Sequence, residues 1–128
     1  LALQSFDREL ETLPGRYAPP EGDIWVAEQD GNIIGAIAYY RFAEGIAELK
    51  RFYVLPEAAG GGIGRQLFDK ALRSAKARGY RFIRLDTLRG MEHARRIYAH
   101  YAFREVAPWN ENHRDGDLIY LELDTETL

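Results

Sequence analysis

A run of glycines is the stretch of this sequence best suited to chemistry. Gly60 to Gly62 are consecutive, and Gly64 follows after Ile63. Glycine lets a backbone turn tightly and bring its N–H groups close to a ligand, because no Cβ stands in the way. Apolar residues then recur at helical spacing from Ile63 to Ala75, so the glycines lie where a helix begins. The N–H groups and the positive end of the helix dipole predict an anion site, and the expected ligand is a phosphate or pyrophosphate.

The spacing of these glycines excludes two familiar nucleotide motifs. A dinucleotide pattern G-x-G-x-x-G fails, because its last position falls on Arg65 when counted from Gly60 and on Leu67 when counted from Gly62. A P-loop fails because no Gly-Lys-Ser or Gly-Lys-Thr follows. For the glycines alone, a turn that only caps the helix remains an alternative.

The predicted strands and helices on either side would position this loop. An apolar stripe over residues 1–13 predicts an amphipathic helix. Alternation and turn residues predict strands at 24–29, 33–42, 46–55, 80–88, 103–109 and 118–124, and helical spacing predicts helices at 63–79 and 91–101. The first three strands form an antiparallel meander, and the helix after the glycines makes the next strand parallel to the third. This order indicates an α+β protein with one mixed sheet.

Composition narrows the class of protein. The 128 residues are 46% hydrophobic and 29% charged, which predicts one globular domain over residues 1–128. The absence of cysteine excludes an acyl-cysteine intermediate, so group transfer would have to be direct. A net charge of −3 argues against a nucleic-acid partner, and the sequence has no membrane-length apolar run and no signal-peptide pattern. We therefore expect a cytoplasmic protein with neither a nucleic-acid nor a membrane partner.

The strand that leads into the glycines carries a second pattern. It reads E-x-x-x-x-x-V-x-P at Glu48, Val54 and Pro56, and the spacing x-x-G-x-G follows at Gly62 and Gly64. Together these residues resemble the coenzyme A loop of the GNAT superfamily of N-acetyltransferases. One position departs from the family pattern, since Ala59 stands where the family has Arg or Gln.

The second predicted helix matches another pattern of the same family. The pattern N-x-x-A-x-x-L-Y-x-x-x-G-F is met at Ala94, Tyr98 and Phe103, but Met91 replaces Asn and Ala102 replaces Gly. The resemblance implies a GNAT-like sheet, mixed and mostly antiparallel, with helices on both faces. It also implies that the first strand and helix of the family are missing here. That would leave the strand at 24–28 on the sheet edge, where a homodimer would cover it.

The resemblance implies an enzyme that uses acetyl-CoA and no metal to acetylate an amine by direct transfer. A primary amine has a pKa of about 10.4, so neutralising it at pH 7 costs about 4.6 kcal/mol and a base is useful. Glu48 lies at the family position for this carboxylate. Its alternatives are a solvated strand residue or a cross-strand partner of Lys or Arg.

The resemblance also assigns the residues that bind acetyl-CoA. If the third strand splays from its parallel neighbour, its backbone N–H groups would hold the thioester oxygen, and those of the loop would hold the pyrophosphate with the charge of Arg65. The predicted binding residues are Phe52, Tyr53 and Val54 of the strand and Ala59, Gly60, Gly61, Gly62, Ile63, Gly64 and Arg65 of the loop.

Tyr98 is the predicted general acid. It lies at the family's Tyr position on the inward stripe of the second helix, and a phenol of pKa about 10 is protonated at neutral pH and can donate to a departing thiolate. Its alternative is a core tyrosine whose hydroxyl reaches the rim.

The acceptor is an amine of a small molecule or peptide, and the sequence does not identify it. A non-catalytic acyl-CoA sensor or binding module stays open, because Ala59, Met91 and Ala102 depart from the family patterns. His93 and His100 lie seven residues apart without a third ligand of suitable spacing, so no metal site is predicted. Asp86 ends a strand and either caps the next helix or binds substrate, with capping favoured.

Overall fold

The computed structural model of the chain describes residues 17–109 and 118–128. Its strands are β1 (Asp23–Gln29), β2 (Asn32–Ala43), β3 (Ile46–Val54), β4 (Phe82–Leu88), β5 (Arg104–Val106) and β6 (Leu118–Asp124). Its α-helices are α1 (Ile63–Ala77) and α2 (Glu92–Tyr98), and short 3-10 turns cover Pro56–Ala58 and Thr125–Thr127. The six strands form one sheet in the order β1-β2-β3-β4-β6-β5. In the described sheet, β3 and β4 run parallel and every other pairing is antiparallel.

This architecture confirms the predicted α+β class and the β-meander. The tight turn between β1 and β2 has positive φ at both central residues, Asp30 (52°) and Gly31 (81°). Positive φ angles at both positions give the turn a twist that matches the right-handed twist of the hairpin strands. The crossover through α1 also places β3 and β4 side by side and parallel, as predicted.

Helix α2 and strand β5 are much shorter than predicted, while α1, β3 and β4 fall short by only one or two residues. Two predicted features lie outside the described residues. Helix α2 ends at Tyr98 instead of Tyr101, since the N–H groups of His100 and Tyr101 bond three residues back and tighten the chain into turns. The strand predicted at 103–109 covers Arg104–Val106. The helix predicted at 1–13 and the connection between the last two predicted strands, residues 110–117, fall outside the described residues.

The core lies between the sheet and the two helices. Leu67, Phe68 and Leu72 of α1 form one hydrophobic cluster with buried residues of the sheet, and Ile97 and Tyr98 of α2 join it. Burying a Leu or Phe side chain contributes about 1.5–3 kcal/mol. The apolar stripe of α1 therefore fixes the helix, and with it the glycine loop at its start, against the sheet.

Strands β3 and β4 separate soon after they meet. Their parallel pairing covers Ile46–Glu48 of β3 and Phe82–Arg84 of β4. Beyond it, β3 keeps pairing with β2 as far as Val54, and β4 keeps pairing with β6 as far as Leu88. The splay that the family resemblance implied is thus present, and it opens a cleft in the middle of the sheet.

A bulge in β3 accompanies this separation. Ala38 of β2 pairs with Lys50, but Ala36 pairs with Tyr53, so β3 carries one extra residue between these pairs. Within it, Arg51 has a φ of 60°, a conformation that L-residues seldom adopt. Bulges of this kind bend a strand and redirect its backbone groups, often next to a functional site.

Two further observations concern the whole described region. Across residues 17–109 and 118–128, no helix has the length and apolar character needed to cross a membrane. In the same residues, no group of three or more His, Asp or Glu side chains lies close enough to hold a metal ion.

Candidate acyl-CoA groove and active site

The glycine loop forms an open cradle at the start of α1. Gly60 and Gly62 have φ values of 89° and 84°, which glycine adopts without the steric cost of a Cβ. Gly62 is the N-cap of α1, and its carbonyl oxygen accepts the N–H of Gln66 at 3.0 Å. A Cβ built on Gly60 or Gly62 would meet nothing within 4 Å, so the space above both residues is open. A ligand can therefore approach this backbone closely.

Gly64 has a different reason to be glycine. A Cβ on it would lie 3.0 Å from Cδ1 of Ile97 and 3.3 Å from Cγ2 of Val54. Its missing side chain lets α1 pack closely against β3 and α2. Gly64 thus sets the spacing of the elements around the loop.

Three adjoining cavities make one groove from the loop to the cleft. The first, of about 210 Å³, includes Gly60, Gly62 and Arg65 of the loop, and Arg96 and His100 around α2. It shares Val54 and Ile97 with the second, of about 330 Å³, which follows β3. The second shares Phe52, Met91 and Ala94 with the third. The groove suits a long ligand with phosphate at one end and its reactive group at the other.

The third cavity is the cleft between β3 and β4, with a volume of about 310 Å³. Leu49 to Phe52 line one side of it, Leu85 to Leu88 line the other, and Tyr98 of α2 lines it as well. Since pairing with β4 ends at Glu48, the edge of β3 beyond this residue borders the cleft. Its backbone groups can form the hydrogen bonds that a neighbouring strand would otherwise make.

Tyr98 reaches the cleft from the aromatic core. It is 8% exposed, and its ring lies 5.3 Å from that of Phe68 and 6.0 Å from that of Phe103, centroid to centroid. Burial raises the pKa of the Tyr98 hydroxyl, a hydrogen bond with the side chain of Thr87 lowers it, and the charge of Asp86 raises it, with a net increase. The phenol therefore stays protonated at neutral pH.

Glu48 lies buried beside the cleft, in contact with two partners. It is 3% exposed, which rules out the solvated alternative. Tyr40, its cross-strand neighbour, donates its hydroxyl to Oε1 at 2.6 Å, and Nζ of Lys50 lies 3.0 Å from Oε2. The lysine partner is two residues along the same strand.

Lys50 links Glu48 to a second carboxylate. Its Nζ lies 3.7 Å from Oδ1 of Asp86. Burial lowers the pKa of Lys50, but the hydrogen bond and charge of Glu48, with the charge of Asp86, outweigh it and leave the pKa raised. Lys50 is therefore a stable cation between two acids.

The structure gathers most of the predicted site residues along this groove. Ala59, Gly60, Gly62, Gly64 and Arg65 line its loop end, Phe52, Tyr53 and Val54 line its middle, and Tyr98 lines its cleft. Gly61 and Ile63 belong to the loop but are not lining residues of these cavities. Glu48 lies behind Lys50 and is not a lining residue of the cleft.

Several residues of the site were missed or misjudged from the sequence. Asp86 does not cap α2, whose N-cap is Met91; it lies inside β4 and lines the cleft. Arg96 and His100 line the loop end of the groove, and their spacing of four residues was the only sequence signal for a shared face. Lys50 was two residues from Glu48, a spacing that puts both side chains on one face of a strand.

The chain is similar in sequence to known N-acetyltransferases. A model of the acetyltransferase (GNAT) family matches residues 3–103. An uncharacterised N-acetyltransferase of Schizosaccharomyces pombe is 32% identical over 126 residues, which are 97% of this chain and 77% of that protein. An uncharacterised N-acetyltransferase of Escherichia coli is 30% identical over 103 residues, 78% of this chain and 62% of that one.

Solved structures show the same fold. A GNAT-family acetyltransferase of Staphylococcus aureus superposes with a TM-score of 0.77 at 24% identity, covering 95% of this chain and 79% of that one. A GNAT-family acetyltransferase of Elizabethkingia anophelis, solved with acetyl-CoA bound, superposes with a TM-score of 0.67 at 21% identity, covering 94% and 82%.

Proposed function

We propose that this chain, which belongs to the acetyltransferase (GNAT) family of acyl-CoA-dependent enzymes, moves the acetyl group of acetyl-CoA directly to an amine. The observation that carries the proposal is the groove of three adjoining cavities, which share lining residues from the glycine loop to the cleft between β3 and β4. Its two ends differ in chemistry. One offers backbone N–H groups and cations, and the other offers the phenol of Tyr98 and the carboxylate of Asp86.

The loop end would hold the pyrophosphate of acetyl-CoA. The first N–H groups of a helix have no intrahelical partner and point toward an approaching anion. The open space above Gly60 and Gly62 lets phosphate oxygens come close to this backbone. Arg65 and Arg96 line the same cavity and add positive charge. These residues fit a pyrophosphate although Ala59 lacks the side chain that the family has at its position.

The middle of the groove would hold the extended arm of the molecule. Residues 52–54 of β3 line it, and an arm with amide groups can pair with a strand edge as another strand would. The arm would lead the thioester into the cleft, where the bulge at Arg51 reorients the backbone of β3. Backbone N–H groups there would stabilise the negative charge that develops on the carbonyl oxygen.

Tyr98 would act as the general acid. Tyr98 lines the cleft, and the raised pKa of its hydroxyl keeps the proton available at neutral pH. When the bond between carbonyl carbon and sulfur breaks, the phenol donates its proton to sulfur. The cluster of Glu48, Lys50 and Asp86 would provide the carboxylate that receives a proton from the amine. Within this cluster Glu48 remains the base predicted from the sequence.

The acceptor would be a primary amine of a small molecule or a peptide. The same proposal holds that the protein forms one domain, acts in the cytoplasm and uses no metal. A homodimer through the β1 edge stays a prediction, and β1 is an outer strand of the described sheet.

Turnover separates this proposal from the acyl-CoA sensor. Release of the coenzyme A thiol is followed at pH 7.5 with acetyl-CoA and one of spermidine, phenethylamine, L-aspartate or a peptide with a free N-terminal alanine. We expect thiol release that depends on at least one amine, with the acetylated amine detected by mass spectrometry. Tight binding of acetyl-CoA with no amine-dependent release would favour the sensor and contradict the enzyme.

A further inference from the structure

The two carboxylates near the cleft differ in their access to a substrate. The Glu48 side chain is 4% exposed, and its two oxygens are engaged by Tyr40 and Lys50. The Asp86 side chain is 21% exposed and lines the cleft itself. An amine that enters the cleft from solvent would therefore meet Asp86 before Glu48.

Asp86 also lies close to the predicted acid. Its charge acts on the hydroxyl of Tyr98, whose side-chain partner Thr87 is the next residue of β4. On its other side, Nζ of Lys50 lies 3.7 Å from Oδ1. Within residues 17–109 and 118–128, the charged and titratable groups that face Asp86 include Lys50 and Glu48 on β3, Tyr98 on α2, and Tyr120, its register partner on β6.

We infer that Asp86 contacts the acceptor amine and accepts its proton, and that Glu48 holds Lys50 in place beside it. This inference rests on the proposed function and assigns the base within it. Lys50 places its ammonium 3.7 Å from Oδ1 of Asp86 and so limits the positions that Asp86 can adopt in the cleft. Glu48 would then be a positioning residue that acts through Lys50.

The assignment gives a balanced reaction. The acceptor enters as an ammonium ion and gives one proton to Asp86, which releases it to solvent. The nitrogen lone pair forms the C–N bond, and the C–S bond breaks with its electron pair leaving on sulfur. Tyr98 protonates the sulfur, and the second proton lost from nitrogen restores its hydroxyl. The products are an amide, the coenzyme A thiol and one proton.

The test compares Asp86→Asn with Glu48→Gln, using acetyl-CoA and the best amine of the turnover panel. Loss of a general base typically lowers the rate by about 10²-fold or more, so we expect kcat/KM for the amine to fall by about that factor in Asp86→Asn at pH 7. Glu48→Gln should lose less than about tenfold, because the amide oxygen can still accept from Lys50. KM for acetyl-CoA should change little in both variants.

A second readout distinguishes proton removal from a merely structural role. Because solvent supplies more neutral amine at higher pH, the rate of Asp86→Asn should climb toward that of the wild type as the pH rises from 7 to 9. Asp86→Glu should restore part of the activity. Asp30→Asn is the matched control, since Asp30 lies in the exposed β1–β2 turn at a positive φ that Asn also tolerates.

The outcomes separate the two proposals. An Asp86→Asn rate within threefold of the wild type, or a greater loss in Glu48→Gln, would overturn the assignment and leave the acetyltransferase proposal standing. A wild-type protein that acetylates none of the amines would overturn the enzyme, and the assignment of Asp86 with it. Thermal denaturation of each variant shows whether a loss of rate reflects a loss of fold.

Discussion

Tyr98 combines two roles at one position, as part of the aromatic core and as a lining residue of the cleft. Tyr98→Phe keeps the ring packing and removes only the proton donor. We expect kcat to fall by about 10²-fold with the affinity for acetyl-CoA little changed. Because the pKa of Tyr98 is raised, the wild-type rate should lose no activity through this group between pH 6 and 9. Steady-state kinetics and calorimetric titration measure the two effects.

Tyr101→Phe provides the control for this change. Tyr101 packs on Phe68 at 5.5 Å between ring centroids, much as Tyr98 does, but its hydroxyl donates to Asp69 at 3.0 Å. Removal of the Tyr101 hydroxyl should leave turnover unchanged. Equal rates for Tyr98→Phe and the wild type, with chemistry rate-limiting, would show Tyr98 to be a packing residue.

The pair of Glu48 and Lys50 makes a prediction about stability. Lys50→Met removes the cation beside the buried Glu48 carboxylate and leaves it the hydrogen bond from Tyr40. This change should lower the free energy of unfolding by about 3 kcal/mol at pH 7. The pKa of Lys50 is raised in the folded state, so this stabilisation is complete below its unfolded pKa of about 10.4 and is lost as pH rises through the higher folded value.

Urea unfolding at several pH values checks both parts of that prediction. The difference between wild type and Lys50→Met should stay constant from pH 6 to 9 and shrink above about pH 10.5. Lys70→Met, on the exposed face of α1, should change stability by less than about 0.5 kcal/mol. A difference of that size for Lys50→Met would mean that Glu48 does not depend on its lysine.

At the scale of the element, the glycine loop is held by the helix that follows it. Gly62→Ala adds a methyl group in the space open to the ligand, at a φ of 84°. Gly31→Ala makes the same change at a φ of 81°, equally open but in the β1–β2 turn. Both should cost about 1–2 kcal/mol of stability through backbone strain.

Only the change in the loop should weaken the binding of acetyl-CoA. We expect the dissociation constant, measured by calorimetry well below both melting temperatures, to rise at least about tenfold for Gly62→Ala, which corresponds to about 1.4 kcal/mol. Gly31→Ala should bind as the wild type does. Equal affinities in the two variants would contradict the assignment of the loop to the pyrophosphate.

The elements were predictable because their signals are local. Alternation and helical spacing appear within each segment. The pair Asp30-Gly31 is typical of a tight hairpin turn, and both residues have the positive φ that such a turn requires. The separation of β3 and β4 was not predictable, since it depends on which neighbour each strand keeps along its length. The burial of Glu48 was missed for a similar reason, because Tyr40 comes from another strand.

At the scale of the whole molecule, the fold brings together a candidate phosphate-binding loop and a candidate catalytic cleft, whose residues lie in separate stretches of the sequence. The packing of α1 and α2 around Gly64 brings the glycine loop next to β3, and the splay of β3 from β4 brings Tyr98 and Asp86 to a common cleft. The proposed function depends on the groove that connects the loop to the cleft. It predicts one ligand that spans both.

Thermal denaturation with and without acetyl-CoA tests this central claim most directly. Ligand at about 100 times its dissociation constant stabilises the native state by about 2.7 kcal/mol, which for a chain of this length raises the melting temperature by roughly 10 °C. We predict this increase for the wild type and at most about half of it for Gly62→Ala at the same ligand concentration, since a tenfold weaker binding leaves about 1.4 kcal/mol of stabilisation. An unchanged melting temperature for the wild type at millimolar acetyl-CoA would contradict the account.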